Sequence, residues 1–269
     1  MDWSAWLAIV VPSILGGLLI LWVVAGYYHV RYYVLRRHEP ETWKCQPKRW
    51  LRPEQQREAM WLSSRNLVIG GVLSGTFIYA LTEGLLDIPI YFEIADYGLA
   101  YTLASTVLLF VLVDGLAYYA HRALHFKPFF RHVHQVHHKF VATSPWVVTA
   151  MHPVEFITFQ AVTFIPMFFI PLYYLSAIAV FVYILVFNII DHSGVKLVSR
   201  IPWQGPSMFH DDHHAYFHVN FGQCFTLWDR FHGTLRRKGR RYGVDVFGGK
   251  GARGGATEDG SDPDEFVKY

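Results

Sequence analysis

Residues 121–138 read HRALHFKPFFRHVHQVHH, with histidines at 121, 125, 132, 134, 137 and 138. A second dense stretch, HDDHHAYFH at 210–218, places histidines at 210, 213, 214 and 218. The whole chain has 15 histidines in 269 residues, so these two stretches hold most of them. Neutral imidazole offers a lone pair near pH 7 and is the commonest metal ligand. His121 and His125 are four apart, which on a helix puts them about 40° apart around the axis. His134, His137 and His138 repeat a three-and-four spacing, and so do His210, His213 and His214. Clustered imidazoles without a metal would repel one another on protonation, and hydrogen bonding asks for no such spacing. His152 in HPVE and His192 lie between the two stretches and complete a set of ten candidate ligands. One zinc takes four ligands, so eight to ten histidines point to two ions of four to six ligands each.

Other metal chemistries lack their signatures. No HExxH is present, which argues against a zincin protease. No glutamate precedes a histidine by three, so the soluble carboxylate-bridged di-iron pattern is absent. An all-imidazole pair of iron ions is the best match, although imidazole suits zinc and copper too. Asp114 lies seven residues before His121, two turns up the same helix face, and is a candidate to orient a ligand ring.

Composition sets the surroundings of this centre. The chain is 52% hydrophobic, 17% aromatic and only 17% charged, against about 25% charged in a soluble domain. An all-α integral membrane protein is expected. The net charge of +3 is too small to point to nucleic acid. Cys45 and Cys224 form no CxxC, so neither a disulfide framework nor a cysteine-based zinc site is expected.

The apolar runs predict about four membrane helices. Residues 3–28 carry no charge, enough for about 30 Å of hydrocarbon. They lack the basic start of a signal peptide. Further runs cover 66–86 and 97–120. A thirty-five-residue uncharged run covers 156–190, where Pro166 and Pro171 predict a broken helical hairpin. The 31–65 loop has nine Lys/Arg against four Glu, the 87–96 loop is acidic, and the segment after 121 is basic. The positive-inside rule then puts both basic segments in the cytosol. A hairpin at 156–190 returns to the side it left. Both histidine stretches therefore meet in one cytosolic helical cap. Three regions follow: 1–96 with the first membrane helices and a connector, 97–242 with the catalytic machinery, and a glycine-rich 243–269 expected to be disordered.

HRALH, HQVHH and HDDHH beside hydrophobic hairpins resemble the membrane-bound fatty acid hydroxylase and sterol desaturase superfamily. The resemblance runs from about Tyr97 to Tyr242. HPVE at 152–155 and HVNFGQCFTLWDRFHGT at 218–234 resemble its C-5 sterol desaturase (lathosterol oxidase) branch. The resemblance implies a non-haem di-iron centre using O2, with ligands at His121, His125, His134, His137, His138, His210, His213 and His214, joined by His152 and His192. It implies a membrane lipid substrate, most naturally a sterol, in the endoplasmic reticulum. It also implies a separate electron donor such as cytochrome b5 with its reductase. A fatty acid or sphingolipid hydroxylase of the same superfamily is the nearest alternative. A histidine-rich metal transporter or a membrane zinc hydrolase would be of another class; transporters keep their sites near the bilayer midplane, and here no histidine lies inside an apolar run.

Overall fold

The computed structural model describes residues 2–201, 204–242, 251–253, 262 and 264–268. Seven helices organise it: α1 (Trp3–Tyr28), α2 (Pro53–Thr82), α3 (Leu99–Leu124), α4 (Pro153–Phe164), α5 (Tyr174–Asp191), α6 (Ser207–Tyr216) and α7 (Leu227–His232). Three segments are long and apolar enough to cross a membrane: Trp3–Val34, Leu99–Leu124 and Tyr174–Asp191.

Helix α1 starts on Asp2, whose Oδ1 accepts the Ser4 and Ala5 amides at 2.9 and 3.2 Å. Its outer face, Leu7, Val11, Leu15 and Leu19, is exposed at four-residue spacing, as lipid contact requires. Its inner face packs antiparallel on α2. A Cβ at Gly71 would fall 2.5 Å from the Ile14 Cα, and one at Gly75 would fall 2.6 Å from the Val10 Cα. Two glycines four apart therefore let the backbones touch, the small-residue packing that lipid-embedded helices use.

The sequence placed the second apolar run at 66–86, but the helix begins at Pro53. Pro53 occupies the first helical position, where its missing N–H costs nothing, and Gln55 reaches back to the Arg52 amide at 3.1 Å. The polar first half still buries Ala59, Leu62, Ser63, Asn66 and Leu67 at helical period. Those residues hold the 140–151 loop. Ser63 Oγ donates to the Trp146 carbonyl at 2.7 Å, and Asn66 Nδ2 donates to the Thr149 and Met151 carbonyls at 2.7 and 3.0 Å.

The 156–190 run is a broken hairpin, as the two prolines predict. Helix α4 ends at Phe164, and a short turn at Ile165–Phe168 carries Pro166. Residues Leu172–Tyr173 then pair in parallel with Ile90–Tyr91 before α5 begins. The tail is only partly seen. Residues 243–250 and 254–261 lie outside the described residues. The described acidic end departs from the expectation of disorder by docking on a basic strip. Val267 N–H donates to the Arg236 carbonyl at 2.9 Å and Lys238 N–H to the Glu265 carbonyl at 3.0 Å. Arg240 pairs with Asp264.

Helix α3 ends, α4 starts and α5 ends at one level of the molecule. The short helical segment 130–138 and α6 pack there too, and both histidine stretches meet at that level.

Candidate metal centre

Nine buried histidines gather into two adjoining groups. His121, His125, His134, His138 and His213 form one; His137, His192, His210 and His214 form the other. Within each group the candidate ligand atoms lie within 4.8 Å of one another. The rings of His138 and His214, one from each group, are 5.0 Å apart. The spacing of the motifs explains the division. Residues four apart share a group, as His121 with His125, His134 with His138, and His210 with His214. The middle histidine of each HxxHH, His137 or His213, crosses to the other group.

The outward edges of the rings are fixed by oxygens. His121 Nδ1–H donates to the Phe221 carbonyl at 2.8 Å and His213 Nδ1–H to the Val219 carbonyl at 2.6 Å. His134 donates to Glu155 Oε1 at 2.7 Å. His192 shares its Nδ1–H between the Asn188 carbonyl and Asp191 Oδ1, at 2.7 and 2.8 Å. His137 Nδ1 lies 3.4 Å from the Ala150 carbonyl. A neutral imidazole has one N–H, so a proton held on Nδ1 leaves a bare lone pair on Nε2. Those Nε2 atoms point inward, each at a second imidazole. His134 and His125 bring Nε2 atoms to 2.9 Å, His210 and His192 to 2.9 Å, and His213 and His138 to 3.0 Å. Two imidazoles bound to one ion at about 2.0–2.1 Å have nitrogens about 3 Å apart. In addition, His125 Nδ1, His138 Nδ1, His210 Nδ1 and both ring nitrogens of His214 are buried without a hydrogen-bond partner. Burying such atoms unpaired is costly, and cations between the rings would give the inward nitrogens a partner. The donor set fits two metal ions.

Electrostatics agrees. Burial first, and neighbouring imidazoles second, push His125, His134, His138, His210 and His214 well below the usual imidazole range. Burial likewise lowers His137 and His213. The rings stay neutral and keep their lone pairs at physiological pH.

Two sequence expectations need correction. His152 belongs to neither group: its Nδ1 accepts the Val154 amide at 3.2 Å and caps the start of α4. The Pro153 that follows it had already signalled a helix start. Asp114 touches no imidazole. Its carboxylate accepts the Cys224 amide and the Trp228 indole N–H, both at 2.8 Å. Two turns along a helix is about 10 Å, beyond contact with a ring on His121. Asp114 instead pins the loop whose Phe221 carbonyl orients His121. Asp229 holds the same loop, accepting the Phe221 and Gly222 amides at 2.9 and 2.7 Å. Glu155 was missed; the available signal was an isolated acid at the mouth of an apolar run. His218 is buried with its ring 5.4 Å from that of His125, outside both groups.

A cavity of about 470 Å³ leads from this centre into the membrane helices. His121, His134, His137, His192 and His210 line one end, and Pro12, Gly16, Leu67, Phe159 and Val182 line the rest. Its size and apolar lining are those of a site for one small lipid-like molecule.

Residues 106–234, which include all nine histidines, match the family model of the fatty acid hydroxylases. The match covers just under half of the chain. The chain is 33% identical over 147 residues to a Delta(7)-sterol 5(6)-desaturase of Schizosaccharomyces pombe, covering 55% of this chain and 49% of the relative. It is 32% identical over 151 residues to the lathosterol oxidase of Mus musculus, covering 55% and 50%. The lathosterol oxidase of Homo sapiens is 26% identical over 219 residues, covering 78% of this chain and 68% of the relative. These similarities support the sterol C-5 desaturase branch. The chain spans about half the length of the first curated relatives it matches. No solved structure matches it.

Proposed function

We propose that the chain is an O2-dependent di-iron oxidoreductase that acts on an unactivated C–H bond of a membrane lipid, as a sterol desaturase or hydroxylase. The observation that carries this reading is the pair of buried imidazole groups at the inner end of an apolar cavity among membrane helices. His121, His125, His134, His138 and His213 would hold one iron, and His137, His192, His210 and His214 the other. Bound iron supplies the oxidising power toward O2 and C–H bonds that no side chain has.

The chain's own residues do the rest. Glu155, Asp191 and the carbonyls of Phe221, Val219, Asn188 and Ala150 hold the ring protons of His134, His192, His121, His213 and His137 on Nδ1, which keeps Nε2 of these five rings free and aimed. Phe156, Phe159 and Phe181 line an apolar path that excludes water and holds a greasy substrate in a fixed pose. Histidines meet at one end of the helix bundle, so electrons can arrive from outside the bilayer while substrate arrives from within it. A separate donor such as cytochrome b5 would supply them. By loop charge the histidine face is cytosolic, and the resemblance to the superfamily implies the endoplasmic reticulum membrane.

The test is lipid conversion. Purified protein in bilayers, with NADH, cytochrome b5 and its reductase, is expected to turn lathosterol into a dehydrogenated or hydroxylated product only when O2 is present. Unchanged lathosterol and unchanged total membrane lipid under those conditions would overturn the proposal.

A further inference from the structure

The polar lining of the cavity is not confined to its histidine end. Ser74 on α2 and Gln160 on α4 also face into it. Gln160 Nε2 donates to Ser74 Oγ at 3.1 Å and bridges the two helices. Gly70 lies one turn before Ser74; a Cβ there would sit 2.8 Å from the Phe156 ring and 3.3 Å from Gln160 Oε1. Glycine therefore lets the amide lie against α2 at this level.

The pair is unusual in what it leaves over. Serine and threonine in helices commonly donate to the carbonyl four residues back. Ser13, Thr158 and Thr163 do so, to Ile9, Val154 and Phe159 at 2.8 Å each. Ser74 does not: among the described residues its hydroxyl hydrogen has no acceptor, and Gln160 Oε1 has no donor. One free donor and one free acceptor thus stand side by side, whereas the nearby Ser13 and Thr163 hydroxyls that also line the cavity are already spent on their own helices. A hydroxyl group, which accepts one hydrogen bond and donates another, matches both.

We infer that Ser74 and Gln160 form a subsite for a hydroxyl group on the lipid substrate. The substrate oxygen accepts from Ser74 Oγ–H and its hydrogen donates to Gln160 Oε1. An ester, an ether or a plain acyl chain brings no donor and leaves the amide oxygen unpaired. Gln160 follows Glu155, which touches His134, by five residues, or about 7.5 Å of helix. The hydroxyl and the oxidised C–H therefore belong to the same end of the substrate.

This inference rests on the cavity being the substrate site of the oxidoreductase proposed above. Its test is direct binding, read apart from turnover. The full chain in lipid nanodiscs is titrated with tritiated lathosterol and with its 3-deoxy analogue. Wild-type protein is expected to bind lathosterol about tenfold or more tightly. The nearly isosteric double variant Ser74→Ala, Gln160→Met is expected to lose that preference, with its bound metal unchanged as the sign of an intact fold. Equal affinities in the wild type, no saturable binding of either sterol, or a preference that survives in the double variant would overturn the subsite. Failure of the oxidoreductase reading would look different: a hydroxyl preference with no O2-dependent product.

Discussion

Replacing Glu155 with alanine tests the logic of the centre at one atom. Glu155 is fully buried, and its Oε1 takes the His134 Nδ1–H at 2.7 Å. Without it, the imidazole keeps a buried N–H with no acceptor, at a cost of about 1–3 kcal/mol. The ring is also free to turn or to move its proton to Nε2, the atom that meets His125 Nε2 at 2.9 Å. Loss of such a supporting carboxylate lowers metal affinity about 10–100-fold, or about 1.4–2.8 kcal/mol at 1.4 kcal/mol per decade. The loss should fall on the five-histidine group alone. Glu155→Gln retains a carbonyl acceptor and should recover most of the affinity. The assay is iron retention against a graded chelator, with circular dichroism as the check on folding. Glu155→Ala should release about half of the iron early and the remainder at the wild-type point. His152→Ala, which removes only a helix cap, should retain iron like the wild type. Identical retention curves for Glu155→Ala and wild type would refute the reasoning.

Three further outcomes are expected. Asp114→Ala strands the Cys224 amide and the Trp228 indole, which it now receives at 2.8 Å each; a loss of about 2–4 kcal/mol should lower the melting temperature in detergent, and an unchanged melt would contradict the anchoring role. Gly71→Leu forces side-chain atoms into the Ile14 backbone, where even a Cβ falls at 2.5 Å, and should cost about 1–3 kcal/mol; Gly16→Ala, with nothing within 4 Å of its Cβ, should melt like the wild type. Metal-free protein should lose stability in acid: the folded state holds His125, His134, His137, His138, His210, His213 and His214 below their usual range, while the unfolded chain protonates them below about pH 6.5. Unfolded protein then binds more protons, so stability is full above that pH and falls below it by up to about 1.4 kcal/mol per pH unit for each ring; a melt that is flat from pH 7.5 to 5 would contradict the burial.

The sequence made the centre legible wherever helical spacing carried the information. HxxxH and the two HxxHH motifs place eight rings with no knowledge of the fold, because positions three and four apart share a helix face. Spacing could not divide them between two groups. The division depends on which partner each HxxHH meets, and that is set by packing between α6 and the helical segment 130–138. Glu155 and the orienting carbonyls were invisible for a related reason: a carbonyl has no sequence signature. His152 was over-read, since a histidine before proline at a helix start is first of all a cap. Asp114 was placed correctly in the centre's neighbourhood but given the wrong partner. Side-chain reach of a few ångströms cannot span two helical turns. Hydropathy made three helices legible that are long and apolar enough to cross a membrane, against about four expected, and Pro166 and Pro171 made the hairpin break legible. The early start of α2 was hidden because its first half buries one face and leaves the rest polar.

The central claim is that nine histidines from four separate segments hold two metal ions. Elemental analysis of the full chain, purified after expression with iron available, tests it most directly. The account predicts about two iron atoms per chain in the wild type and about one in a variant carrying His137→Ala, His192→Ala and His214→Ala together. A single tightly held metal in the wild type, or two that survive that triple replacement, would contradict it.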